Sequence, residues 1–367
     1  MSRFEDELIK RLSEASDEVS QAIDELQLAA YRARKGQTSS SRMIIDSVRA
    51  RFASSDDSRI FARINLAESI HEFYINGVNS AVQKLRRSQA LLIGCPTDRV
   101  LKWEASAWMA SFMRILRKWP EFESELRSIL PDLEAIPLPL RARVGLVIAD
   151  SLQEVGDCSS ADLWYSEARA AALQCGDDSM FGAALYNRVA IRVYGLRMAA
   201  IFGDSSDLSG CKVELEAATA KNYSQYTHDY GMSGVFSLLQ GQLAILNEDF
   251  VEAVRLLTDE SVWSLVREWP SVALILRADV LLGQVKLGKI STSELREQSN
   301  AIAELFEGSR MYGDIAIAAH SLNRSVHDMD EDFSAYLNRL VDESLVKFAE
   351  DQAAQKAAMQ SLGLCSK

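Results

Sequence analysis

Residues that interrupt helices are scarce in this sequence: only 18 glycines and 6 prolines are spread over 367 residues. So few positions for tight turns or a fixed φ leave long uninterrupted segments. Apolar runs of the ~18–20 residues needed for a membrane span are missing as well. The opening "MSRFEDELIK" lacks the apolar stretch of a secretory signal. Cysteine is sparse and odd in number: Cys95, Cys158, Cys175, Cys211 and Cys365, with no Cys-x-x-Cys pair. That argues against a disulfide framework and for reduced thiols in a cytoplasmic protein. Excess positive charge is also lacking, since the net charge is −12. Residues 1–140 carry 20 basic and 20 acidic side chains, whereas residues 141–367 carry 20 and 32, so the whole excess lies in the later part. An acidic surface of this kind disfavours nucleic acid and anionic membranes as partners.

The motifs of catalysis are missing too. There is no Gly-x-x-x-x-Gly-Lys and no Gly-x-Gly-x-x-Gly. "GDSSDLSG" (203–210) has no lysine and reads as an extended turn, and "GMSG" (231–234) falls one residue short of a nucleophile elbow. His71-Glu72 has no second histidine one turn on. His320, His327 and Asp328 lie about two turns apart on one expected helix, whereas HD phosphohydrolases gather their ligands from separate helices; a solvated helix end is the simpler reading. "DMDED" (328–332) lacks the glycine and the glutamate spacing of a calcium loop. No catalytic residue, metal site or cofactor is therefore assigned. From Lys84 to Lys118, eight basic residues interleave with Trp103, Trp108 and Trp119. That mixture occurs in nucleic-acid binders. The tryptophans fall at helical core spacing, so charge over a packed tryptophan core is preferred.

What is present is helical periodicity. Apolar residues recur at three- and four-residue steps and no period-two strand stands out. Residues 4–35 read as one long helix whose seam, Leu8, Leu12, Ala15, Val19, Ala22, Leu26 and Ala29, steps 4, 3, 4, 3, 4, 3. A polar linker, "GQTSSS" (36–41), follows, and residues 42–367 read as a run of helical hairpins with separate helices over 57–75 and 79–93. Short polar breaks supply caps, as in "TD" (97–98), "SS" (159–160) and "STS" (291–293). "KWPEF" and "EWPSV" place proline at a first helical position.

One stretch defines a repeat. In residues 142–175, Ala149 is the small residue of a first helix and Gly156-Asp157 the turn. Ala161 and Ala168 are the small residues of the second helix, Tyr165 is its large one, and Gly176-Asp177 begins the next unit. "GQLAILNEDFVEAVRLL" (241–257) repeats the pattern with Gly241, Phe250, Ala253 and Leu257; "INGVNSAVQKL" (75–85) echoes it at Ala81. On these residues the chain resembles tetratricopeptide-repeat (TPR) proteins. Its longer helices resemble the degenerate repeats of bacterial regulatory receptors, the helical sensors of LuxR-type activators and the peptide-sensing Rap-type inhibitors. The expected fold is all-α, a TPR-like α-solenoid of about seven helical hairpins with an N-terminal helical segment.

The resemblance implies a non-catalytic scaffold or adaptor that binds a protein or peptide on the concave face of its repeats. A peptide- or ligand-gated regulatory receptor of the Rap or LuxR-sensor type is the alternative, and an enzyme with an unrecognised site the third reading. Projecting the register, the partner-binding groove includes Arg143, Asp150, Asn187, Tyr194 and Gln242. Asn187 is expected to bond a bound backbone and Arg143 to meet a carboxylate. The seam of residues 4–35 is expected either to cap the first repeat or to pair two chains as a homodimer.

Overall fold

A computed structural model describes residues 2–95, 98–202, 210–228, 233–266, 269–306, 311–327 and 329–365. Among the described residues there are 17 α-helices, one 3-10 turn and no strand. The chain folds into two compact units: residues 1–188, 222–232 and 354–367 form the first, and residues 189–221 and 233–353 the second. The "GDSSDLSG" stretch up to Ser209, residues 231–232 of "GMSG", Thr97, Glu268 and Asp328 lie outside the described residues.

The first unit begins with α1 (Arg3–Glu14), α2 (Glu18–Arg34) and α3 (Thr38–Arg51). The single helix expected over residues 4–35 is therefore two. Asp17 takes an extended conformation and its carboxylate accepts from the Ser20 amide, so α2 starts afresh there. The 4-3 spacing runs unbroken across the cap, which hid the break from a periodicity argument. The seam is buried within the chain: Leu8 is 1% exposed, and Ala22, Leu26 and Ala29 are fully covered. The "GQTSSS" stretch is a one-turn corner, with α3 already under way at Thr38.

α4 (Ser58–Ile93) folds back on itself at Gly77, whose φ of 76° interrupts the helix. Ser69 Oγ donates to the Ala81 carbonyl at 2.8 Å and Ser88 Oγ to that of Ala62 at 2.7 Å, so residues 58–76 and 78–93 are antiparallel. α5 (Arg99–Ile115), α6 (Trp119–Ile129), α7 (Leu138–Glu154) and α8 (Cys158–Cys175) follow as two more pairs. Trp108 and Trp119 lie in the core of this unit, 4% and 5% exposed.

The two Gly-Asp pairs act as the repeat pattern requires. Gly156 and Gly176 sit at φ 82° and 75°, a region that costs other residues strain. Each following aspartate caps the next helix, Asp157 accepting from the Ser160 amide at 3.1 Å and Asp177 from the Met180 amide at 3.0 Å. The cap of α8 is thus Asp157, not the serines at 159–160. Ala149, Ala161, Ala168 and Ala253 are at most 2% exposed. The Tyr165 hydroxyl donates to Asp150 Oδ1 at 2.8 Å.

α9 (Asp178–Phe202) and α10 (Gly210–Tyr226) lead into the second unit, which holds α11 (Ser233–Leu246), α12 (Phe250–Leu257), α13 (Glu260–Val266), α14 (Pro270–Lys286), α15 (Thr292–Glu304), α16 (Tyr312–Val326) and most of α17 (Glu331–Ser361). Here Gly241 lets Leu257 press against α11, since a Cβ at 241 would collide with that leucine. Ser291 and Glu294 form a reciprocal cap at the start of α15. At the centre, Arg197 donates to both oxygens of Asp279 at 2.6 Å, and Ser321 joins them at 2.8 Å; all three are at most 5% exposed.

Candidate functional site

A cavity of about 380 Å³ lies in the first unit, where several helices converge. Three helices each turn one stripe toward it. α2 offers Gln27, Ala30, Tyr31 and Arg34, α5 offers Val100, Glu104 and Trp108, and α7 offers Pro139, Leu140 and Arg143. Steps of three, four and seven keep such residues on one helical face. Phe4 and Arg11 of α1, with Asp177 and Met180 at the start of α9, complete the wall. Pro137 and Pro139 set the entry of α7 and so fix where Arg143, one turn on, stands.

The charges of this wall are unequally matched. Arg34 meets Asp177 at 2.8 Å, with 11% and 0% of their side chains exposed. Burial is the largest single influence and works against the Arg34 charge, but the Asp177 carboxylate together with Tyr74 and Tyr31 holds the pKa above its ordinary value. Arg11 pairs with Asp24, and Glu104 with Arg63. Arg143 has no carboxylate within ion-pair distance among the described residues. Its guanidinium carbon lies 3.6 Å from the centre of the Trp108 ring, and the Tyr74 side chain is near enough to favour its charge. Burial pushes its pKa below the ordinary value; Tyr74 and Asp177 oppose the shift and Arg34 adds to it. Among the described residues no histidine, cysteine or serine lines the cavity.

The residues projected onto the groove separate into three places. Arg143 faces this cavity. Asp150 and Asn187 come together elsewhere in the first unit, where Asp150 Oδ2 accepts from Asn187 Nδ2 at 2.8 Å and from Arg114 at 3.0 Å. Asp150 is 2% exposed, not on an open face, because α7 is covered on nearly every side from Val144 to Gln153. Burial raises its pKa, and Arg114 counters that. Glu154 pairs with Arg114 and accepts from Gln355 at 2.7 Å, so the last turns of α17 tie into the same network. Tyr194 and Gln242 belong to the second unit, Tyr194 with its ring 6.3 Å from that of Phe348 and Gln242 half-buried on α11. Trp108, Tyr31, Arg34 and Tyr74 had no signal that joined them to Arg143. Trp108 stands 35 positions earlier, and its spacing spoke only for a core.

Among the described residues no three histidine, cysteine or acidic side chains gather as metal ligands. His320 is half-buried, and His327 is exposed beside Ser334, 3.2 Å away.

The fold and this recess define a class: an all-α chain of TPR-like helical hairpins, the α-solenoid class, with a ligand-sized cavity among its repeats. The chain is similar to a Rap protein whose crystal structure was determined in complex with competence and sporulation factor. The TM-score is 0.59 at 16% identity, covering 95% of this chain and 92% of that one. That likeness is one of fold. No family model and no curated protein matches the sequence.

Proposed function

We propose that this protein is a non-catalytic regulator that binds a peptide or a protein segment through its helical repeats. The observation that carries the reading is Arg143, a half-buried guanidinium stacked on Trp108 at the edge of a cavity and left without a counterion. A buried cation is costly unless something compensates it, and a ligand supplies the compensation. The cavity falls in the size range of small-ligand and side-chain pockets. The fold shared with a Rap protein solved in complex with competence and sporulation factor favours the ligand-gated form over a plain adaptor.

In this reading the TPR-like repeats of residues 42–367 carry recognition and residues 1–41 serve as an N-terminal regulatory segment. Asn187, Asp150, Tyr194 and Gln242 shape the repeats around the partner. The working location is the cytoplasm; among the described residues no helix is long and apolar enough to cross a membrane. Homodimerisation through residues 4–35 would require the seam to leave its place in the chain, because its main leucines and alanines are buried there.

The test is a pull-down from native cytosol with the tagged chain, with bound material identified, followed by hydrogen exchange with and without that material. A gated receptor shows altered protection in α2, α5 and α7. An adaptor retains a large partner with protection unchanged in those helices. Retention no greater than that of an unrelated helical protein counts against both.

A further inference from the structure

The cavity lacks one negative charge, and the position of that deficit is defined. Of its lining arginines, Arg11 is neutralised by Asp24 and Arg34 by Asp177, while the lining Glu104 is taken by Arg63. Among the described residues of this lining, Arg143 alone remains unpaired. The ring of Trp108 covers one face of its guanidinium, and Tyr74 stands near enough to favour its charge. A planar guanidinium stacked in this way still presents N–H donors in its own plane, the geometry that meets a carboxylate with two parallel hydrogen bonds. The lining also supplies apolar side chains, Trp108, Leu140, Pro137, Pro139, Val100 and Met180, beside the paired Arg34 and Asp177.

We propose that this cavity binds a short acidic peptide segment, seating an aspartate or glutamate carboxylate on Arg143 and its apolar neighbours on Trp108, Leu140 and the two prolines. The proposal rests on the binding role above and names the chemistry of what is bound. The prolines hold the α7 entry and the Trp108 ring holds the guanidinium, so the anion site is largely formed before the ligand arrives. α1 and α2 supply one wall and α5 and α7 another, so an occupant touches both.

The experiment uses the full chain and three probes: acetyl-Leu-Glu-Leu-amide, acetyl-Leu-Gln-Leu-amide, and acetyl-Leu-Gln-Leu with a free C-terminus. Binding is followed by calorimetry and by the indole signals of the tryptophans. The wild type binds the glutamate peptide about tenfold more tightly than its glutamine counterpart, the discrimination expected of one charge-assisted pair. Arg143→Gln removes the preference and Arg143→Lys keeps part of it. Arg143→Lys keeps the charge but cannot make two parallel hydrogen bonds, so it weakens the preference without changing affinity for the glutamine peptide, which covers the case of an Arg143→Gln chain that does not fold. Equal binding of the two blocked peptides, no binding of either, or a preference that survives Arg143→Gln overturns the proposal. Tighter binding of the free C-terminus than of the glutamate peptide overturns the side-chain source. A cytosolic partner held equally by wild type and Arg143→Gln leaves the regulator standing and removes only this inference.

Discussion

Ala161 is 1% exposed and shares the α7–α8 contact with Ala149, Ala168 and Tyr165, so its methyl fills the space available. Ala161→Leu overpacks that contact and is expected to cost about 1–3 kcal/mol. Thermal melts of the two proteins decide it, and coincident midpoints would remove the repeat register. His71 sets a second expectation. It is 4% exposed and 3.2 Å from Ser41, and burial lowers its pKa from 6.5, Glu72 opposing and Arg42 assisting. His320 is shifted the same way, again chiefly by burial. Below pH 6.5 the unfolded chain binds protons that the folded chain refuses, so stability falls as pH drops from that value through the lowered folded one. Asp150 and Asp178, whose pKa values burial raises, act in the opposite sense toward lower pH. Urea midpoints at about pH 7.5 and about pH 5.5 should therefore drop for the wild type and drop less for His71→Asn with His320→Asn. Equal drops would mean that other groups set the acid limit.

At the scale of elements, α2 packs on α3 and α4 through Ala22, Leu26 and Ala29, but α1 and α2 reach the later helices through few polar contacts. Arg3 donates to the Leu173 carbonyl at 2.9 Å, the Phe4 amide to that of Gly176 at 3.3 Å, and Lys35 to that of Thr227 at 3.0 Å. Arg34 meets the buried Asp177. Replacing Arg34 with Met leaves Asp177 without its counterion, a change expected to cost about 3–5 kcal/mol. Hydrogen exchange should quicken in α1 and α2 before α7 and α8; uniform acceleration would mean that the pair braces the whole unit. Most of these helices could be read from the sequence, because capping is local: Asp98 and Ser291 lie beside the amides they satisfy. The break at Asp17 was misread because a seven-residue apolar rhythm is indifferent to a cap placed between two of its steps. The site was less readable. Arg143 could be picked out by helical projection, but its partners come from helices whose separation along the chain carries no periodic signal.

At the scale of the molecule, the repeat pattern gave the fold class, and the placement of the N-terminal segment came only from the structure. The same seam suits a partner chain or the chain's own repeats, and periodicity does not distinguish them. Here Tyr31, Leu28 and Leu8 pack together, and Ser2 bonds the Tyr31 hydroxyl at 2.5 Å. Removal of residues 1–36 is therefore expected to lower the melting temperature and promote aggregation, as read by light scattering at tens of micromolar. A truncated chain that stays monodisperse and equally stable would show that the segment is an accessory, free to pair elsewhere.

The bond from Arg3 to Leu173 also has a consequence in time. Leu173, Gly176 and Asp177, which receive α1 and the end of α2, lie about 140 positions beyond Lys35, and Thr227 lies further on. At the ~5–20 residues per second of ribosomal synthesis the first three emerge roughly 7 to 28 s later. Until then the faces bearing Phe4, Tyr31 and Arg34 have no permanent cover. Gln355, which bonds the Ser151 carbonyl at 3.2 Å, emerges later still, after every residue of the second unit. The unit whose synthesis starts first is thus the last that can be completed, and its unfinished surface is where a nascent-chain chaperone would find something to hold.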